Sequence, residues 1–388
     1  MKLQQPSPTV IINYGLRFQD NFKTSGCKFR TILCFICFVF YSSDVLSQNQ
    51  FSLETDYFYG NIMEHRSTIK HLIKGHPEGI MLTLNKKTFG EKKWEVLYNY
   101  PDYGLSFTYQ DMKNEMLGDQ YSLYGHLTFY FLNRNLTLRV AQGVTYNTNP
   151  YDKETNFRNI AYGTRFMPST YFLLNYNKQN IYKGFGFQTG FSLHHYSNAR
   201  IKAPNTSTNT IAFNLGLNYN FDSENPEYIS YEKEEFSKSI KYNFAFRSGV
   251  NSSAVVGSKQ FPFYVFSAYA DKRISQKSAF QLGTDLFVMP YLKEHIHYLS
   301  VAYPEHNLEG NEDYKRIGVF AGYEMFLSKL SLEGQFGYYV YAPFNDDTAI
   351  YQRIGTKYYF WNAVFGGIFL KTHMAKAEAL EFSVGIRL

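Results

Sequence analysis

The chain has 388 residues, among them 35 Tyr and 36 Phe, an aromatic share of 19% beside only three Cys and two Trp. Its net charge of +6 is modest and spread out, with no basic cluster of the kind nucleic-acid binding requires. Beyond the first fifty residues no segment supplies the ~20 apolar residues of a spanning helix, which excludes a helical membrane protein. Abundant Tyr and Phe, a negative mean hydropathy and recurrent alternating segments fit a β-barrel with aromatic girdles and a polar interior.

Lys28 and Arg30 precede the apolar run Thr31 to Tyr41, and small and polar residues follow, the layout of a secretory signal peptide over 1–48 with cleavage near Ser47 or Gln48. The thirty residues ahead of that run are long for a bacterial leader, so the start is expected downstream of Met1. Cys27, Cys34 and Cys37 all lie in this leader. The mature chain is then expected to lack disulfides, thiolate catalysis and Cys-ligated zinc.

Period-two runs follow to the last residue. The first eight are Phe51 to Ile62, Gly79 to Lys87, Trp94 to Met112, Tyr121 to Leu132, Leu136 to Asn147, Phe166 to Asn177, Gly184 to Ser197 and Asn209 to Phe221. Longer connections after the first, third, fifth and seventh fall on one side, which places them outside the cell if the chain starts in the periplasm. Residues 223–239 are charged and lack alternation, and read as a periplasmic linker. Eight more runs occupy 240–388, at Tyr242 to Asn251, Phe261 to Asp271, Ser278 to Pro290, Lys315 to Leu327, Leu330 to Tyr341, Arg353 to Phe360, Ala363 to Lys371 and Leu380 to Leu388. The fold expected is an all-β, transmembrane antiparallel up-and-down barrel of 14–16 strands, with the C-terminal strands completing one larger cylinder begun by 49–222. The alternative is an eight-stranded barrel followed by a separate C-terminal β-domain.

Within the seventh run Phe185, Phe187, Thr189, Phe191, Leu193, His195 and Ser197 share one side, and His194 belongs to the other. In the eighth, Asn209, Ile211, Phe213, Leu215, Leu217, Tyr219 and Phe221 form an apolar stripe. A His, a Ser and an Asn thus stand where two greasy stripes meet a polar loop, at the lipid–water boundary if those stripes face lipid.

His195-Tyr196-Ser197-Asn198-Ala199, then Ile201-Lys202 and Pro204-Asn205, resembles the signature of the PagL-like lipid A 3-O-deacylases, outer-membrane barrels. The similarity covers about Phe51 to Phe221, and Asn159 to Gly163 looks like the short helical turn of that family. Trp94, Tyr98, Pro101 and Gly104, with the extra strands after Phe221, resemble the extended acyloxyacyl hydrolase branch of Bacteroidetes-type bacteria. The resemblance implies an outer-membrane hydrolase that removes the 3-position acyl chain of lipid A, with lipopolysaccharide as its partner and no cofactor. It implies Ser197 as nucleophile, His195 as general base and Asn205 near the oxyanion. Two positions depart from the family: the third triad member, a Glu there, is Asn209 here, and a small residue associated with the oxyanion hole is Arg200.

Chemically, a serine hydroxyl becomes a useful nucleophile when an imidazole within about 3 Å takes its proton. A third group holds the imidazole tautomer, and an Asn can orient the ring without supplying charge. Asn209 therefore predicts a slow hydrolase or one rescued by another carboxylate, for which Asp222 and Glu224 lie too far along the strand. Asn198, Arg200 and Lys202 share the loop, and the two cations are candidates for the phosphates of lipid A. His65, His71 and His76, and the pair His295 and His297, are irregularly spaced for zinc, so no metal site is expected. Asp346-Asp347 reads as a solvated turn and Glu234-Glu235 as part of the linker. The competing function is a non-catalytic channel or structural barrel with a degenerate site.

Overall fold

A computed structural model describes residues 50–221, 227–232, 235–345, 348–361, 363–374 and 376–388. The expected leader with its cysteines, Asp222, Glu224, Glu234 and the Asp346-Asp347 turn lie outside the described residues.

Among the described residues sixteen strands form in chain order. The first eight are β1 (Phe51–Ile62), β2 (Glu78–Lys86), β3 (Asp102–Asp111), β4 (Asp119–Phe131), β5 (Leu136–Asn147), β6 (Phe166–Tyr182), β7 (Phe185–Tyr196) and β8 (Thr208–Asn220). The second eight are β9 (Ile240–Ser252), β10 (Gln260–Arg273), β11 (Ser278–Val288), β12 (Arg316–Leu327), β13 (Leu330–Tyr341), β14 (Ile350–Tyr359), β15 (Val364–His373) and β16 (Lys376–Arg387). Each expected run overlaps one of them, with ends displaced by up to several residues, as at β6 and β16. The third run differs in kind: Trp94 opens no strand but sits in a short helix, α1 (Lys93–Leu97), ahead of β3. The stretch 159–163 is a bent loop and not a helical turn.

The strands close as two eight-stranded barrels and not as one larger cylinder. The free edge of β8 is taken by β1, from Ser52 opposite Asn220 to Ile62 opposite Thr210. That of β16 is taken by β9, from Phe382 opposite Ser248 to Arg387 opposite Asn243. The C-terminal β-domain of the alternative reading is thus itself a closed barrel. Closure satisfies both edges of each sheet, and eight strands enclose a space that their own side chains fill.

Alternation sorts every strand into a lumen face and an outer face. In β8, Thr210, Ala212, Asn214, Gly216, Asn218 and Asn220 are buried, while Ile211, Phe213, Leu215 and Leu217 are exposed. Phe244, Leu282, Phe336, Ile354 and Phe382 continue the apolar outer surface on the second barrel. Inside the first barrel, Arg139 Nη2 lies 2.7 Å from Glu54 Oε2, and Asn85 donates to the same carboxylate at 2.8 Å. Gln188 donates to Asp56 at 2.8 and 2.9 Å.

The second lumen is more highly charged. Arg353 reaches Glu381 at 2.6 Å and Asp285 at 2.9 Å, and Lys357 reaches Glu333 at 2.6 Å and Glu324 at 2.8 Å. Glu378 bonds Lys371 and, at 3.1 Å, Arg316. Buried charges persist only when paired and hydrogen-bonded, a condition these groups meet. Helix α2 (Tyr291–Ala302), in the connection between β11 and β12, buries Tyr291, Leu292 and Ile296 against Phe287, Met289 and Phe344 at one end of this barrel.

Candidate active site

The strand alternation of β7 turns His194 into the lumen, where it is fully buried and stacks on Phe58 with ring centroids 4.6 Å apart. It turns His195 outward, above the lipid-facing stripe of Phe191 and Phe187. The antiparallel register sets His195 opposite Asn209 of β8. Their side chains meet on the outer wall, with His195 Nδ1 2.7 Å from Asn209 Oδ1. An amide oxygen only accepts, so Nδ1 carries the hydrogen and Nε2 presents its lone pair.

Ser197 follows directly after β7, where the chain leaves the ladder. Its hydroxyl lies 3.0 Å from Nδ2 and 3.2 Å from Oδ1 of Asn205. The Asn198 N–H donates to Asn205 Oδ1 at 2.9 Å, which fixes the amide so that Nδ2 donates to Ser197 Oγ. The Ala199 N–H donates to the same oxygen at 3.2 Å. Two N–H groups therefore converge on the serine oxygen and favour negative charge on it. Among the side-chain hydrogen bonds of the described residues, the Ser197 hydroxyl is held by Asn205 and Ala199, and the His195 ring by Asn209. The serine and imidazole are neighbours on one wall, not yet joined.

The 197–207 loop is shaped by its own contacts. Asn198 is fully buried, donating from Nδ2 to the Lys202 carbonyl at 2.7 Å and accepting from Arg200 N at 3.0 Å. Ala199 and Arg200 both take positive φ, 54° and 63°. Beneath the loop runs the 159–163 segment: Ile160 O accepts from Thr206 N at 3.1 Å, and Ala161 O from Ser207 N at 3.3 Å. Gly163 is a close-approach glycine, since a Cβ there would stand 2.5 Å from Lys202 O and 2.7 Å from Pro204 O. Tyr162 closes the floor through a hydrogen bond to Thr208.

Sequence reasoning grouped Asn198, Arg200 and Lys202 as substrate contacts, and the structure separates them. Lys202 is exposed. Asn198 is an internal clamp of the loop. Arg200 is 6% exposed, its guanidinium 5.3 Å above the ring of Tyr291 on α2, so it packs between the two barrels. Asn205, expected near an oxyanion, lies against the Ser197 hydroxyl.

One residue was missed. His65, in the connection after β1, places Nε2 2.9 Å from the Thr206 carbonyl and lies within electrostatic reach of His195. Its irregular spacing from other histidines argued against zinc and gave no hint of this contact.

A family model for the lipid A 3-O-deacylase PagL matches residues 78–218, and one for the acyloxyacyl hydrolase C-terminal domain matches residues 240–388. No curated protein matches the chain. Among solved structures, Acinetobacter baumannii outer membrane protein Omp33 is similar at 9% identity over 88% of this chain and 97% of its own, with a TM-score of 0.17. A double mutant of Rh. blastica porin is similar at 8% identity over 87% of this chain and 99% of its own, with a TM-score of 0.19. Both are too distant to carry an argument about this site. The two family models abut the two barrels: the first falls within β2–β8 and ends on β8, which carries Asn209, and the second spans β9–β16. The two matches together make this a PagL-like chain, its first barrel matched by the lipid A 3-O-deacylase (PagL) model and its second by the acyloxyacyl hydrolase C-terminal domain.

Proposed function

We propose that the protein is a serine esterase of the outer leaflet, removing an ester-linked acyl chain, the 3-O chain, from lipid A. Ser197 is the nucleophile, His195 the general base and Asn209 the group that holds the imidazole. The observation that carries this reading is the outward-facing His195–Asn209 hydrogen bond at the serine loop, directly above a stripe of lipid-facing apolar side chains.

The chemistry runs as acyl transfer. A rotation about the Ser197 side chain brings Oγ from Asn205 toward His195 Nε2, a contact that commonly tightens only with substrate bound. Oγ attacks the ester carbonyl as Nε2 takes its proton, and the imidazolium then protonates the departing sugar oxygen. Water, deprotonated by the same nitrogen, releases the fatty acid. The Asn205 amide, freed from the serine oxygen by that rotation, is placed to donate to the tetrahedral oxyanion. Lys202, on the exposed side of the loop, is the remaining candidate for a lipid A phosphate.

The test is mass spectrometry of lipid A from cells expressing the protein or its Ser197→Ala form. Loss of one acyl chain with the first and none with the second is the expected result; an identical lipid profile would sink the reading. The competing channel reading is disfavoured by the side chains that fill both lumens, Arg139, Tyr124 and Tyr171 in one and Arg247, Arg353 and Tyr351 in the other.

A further inference from the structure

Ser197 and Asn205 lie on one loop of the first barrel, yet the stretch between them is held by the second. The Ser252 N–H, at the end of β9, donates to the Arg200 carbonyl at 3.1 Å. The Ala203 N–H returns a hydrogen bond to Ser252 Oγ at 3.1 Å. Gln260, opening β10, donates from Nε2 to the Ile201 carbonyl at 2.9 Å. Three bonds, one backbone to backbone and two through the Ser252 hydroxyl and the Gln260 amide, thus join the β9–β10 hairpin to residues 200–203.

A fourth contact carries the support deeper. The Arg200 guanidinium stacks on Tyr291, whose hydroxyl donates to Glu378 Oε1 at 2.8 Å. Glu378 is itself fixed by Arg316 and Lys371 in the second lumen. The loop carries positive φ at Ala199 and Arg200, and beside its own contacts its middle is fastened to a rigid neighbour.

We infer that the second barrel is a brace for the serine loop, with Ser252 and Gln260 as positioning residues that fix where Ser197 and Asn205 stand relative to His195. This rests on the esterase reading above. Neither residue touches the reacting atoms; each acts through the 200–203 backbone. It follows why Arg200 stands where the family has a small residue: the side chain belongs to the seam between the barrels.

The experiment compares the full chain with Ser252→Ala, Gln260→Ala, the double variant and Ser252→Thr, each in vesicles containing lipid A. Two quantities are read, deacylation kinetics and the hydrogen exchange of the Ala203 amide. The brace predicts about a tenfold fall in kcat for the double variant with KM little changed, since misplacement of a reacting group costs rate more than binding. It predicts faster exchange at Ala203 in Ser252→Ala, with both exchange and rate restored in Ser252→Thr, which keeps the accepting oxygen. Wild-type exchange in Ser252→Ala would overturn the brace, and so would faster exchange with an unchanged rate. A wild-type chain with no deacylase activity, beside a normal Ser252→Ala exchange effect, would sink the esterase reading and leave a braced loop without catalytic purpose.

Discussion

At the scale of single residues the unusual feature is an amide where the family has a carboxylate. Asn209 Oδ1 accepts from His195 Nδ1 and so fixes the tautomer that a general base needs, but it brings no charge to stabilise the imidazolium. In serine proteases the acid-to-amide exchange costs on the order of 10⁴ in rate, partly because the amide there selects the wrong tautomer. Here the oxygen faces the ring, so only the charge is lost. Asn209→Ala is therefore expected to lower kcat by about 10²-fold, and Asn209→Glu to raise it by about tenfold, measured by acyl release from lipid A in vesicles. A Glu variant no faster than wild type would show that charge at this position is irrelevant. His195 and Asn209 were legible as outward-facing residues at the loop ends because alternation puts each on its strand's greasy face, and the resemblance marked 209 as the third position; the register that sets them opposite each other came from the fold. Arg200 was not: a cation in a polar loop reads as solvated, and the Tyr291 that covers it lies in the connection between β11 and β12.

The loop beneath the serine is an element whose shape depends on one missing side chain. A Cβ on Gly163 would meet the Lys202 and Pro204 carbonyls, which are backbone and have nowhere to rotate. Gly163→Ala is expected to push the 202–204 segment outward and to reduce deacylation by about tenfold, while the barrel keeps its heat-modifiable mobility on gels. Full activity in this variant would mean that the loop shifts freely. The strands themselves were easily read, because Phe, Tyr and Leu alternate with small and polar residues through each of them. The short helix α1 was not, since Trp94, Val96 and Leu97 satisfy a strand period as well as a single helical turn. Which strand closes on which was also beyond local pattern. β8 pairs with β1 through backbone groups that every strand possesses, and β9 offers the same groups.

Over the whole molecule, two closed sheets imply two cores with separate stabilities. Each barrel hydrogen-bonds its own first and last strands, and the ion pairs of each lumen stay within it. Arg353 is the centre of the second network, reaching Glu381 and Asp285 while fully buried. Removing one partner of such a cluster leaves carboxylates without compensation in a dry interior, a loss of about 3–5 kcal/mol. Arg353→Met fills similar volume without charge, so the cost falls on the electrostatics. Of the two tryptophans, Trp361 lies in the turn between β14 and β15 of the second barrel, whereas Trp94 packs 6.1 Å from the ring of Tyr103 and also borders a cleft lined by Arg273, Phe326 and Arg387 of the second, so the first barrel needs its own reporter. In a Trp94→Phe background, Arg353→Met is expected to move the Trp361 fluorescence transition to lower guanidinium concentration. In a Trp94→Phe, Trp361→Phe background carrying Leu123→Trp on the outer face of β4, opposite Phe107 and Val144, the transition is expected to stay where it was. If both transitions move together by the same amount, the hydrogen bonds at the seam couple the cylinders into one cooperative unit, and the independence of the two cores is lost.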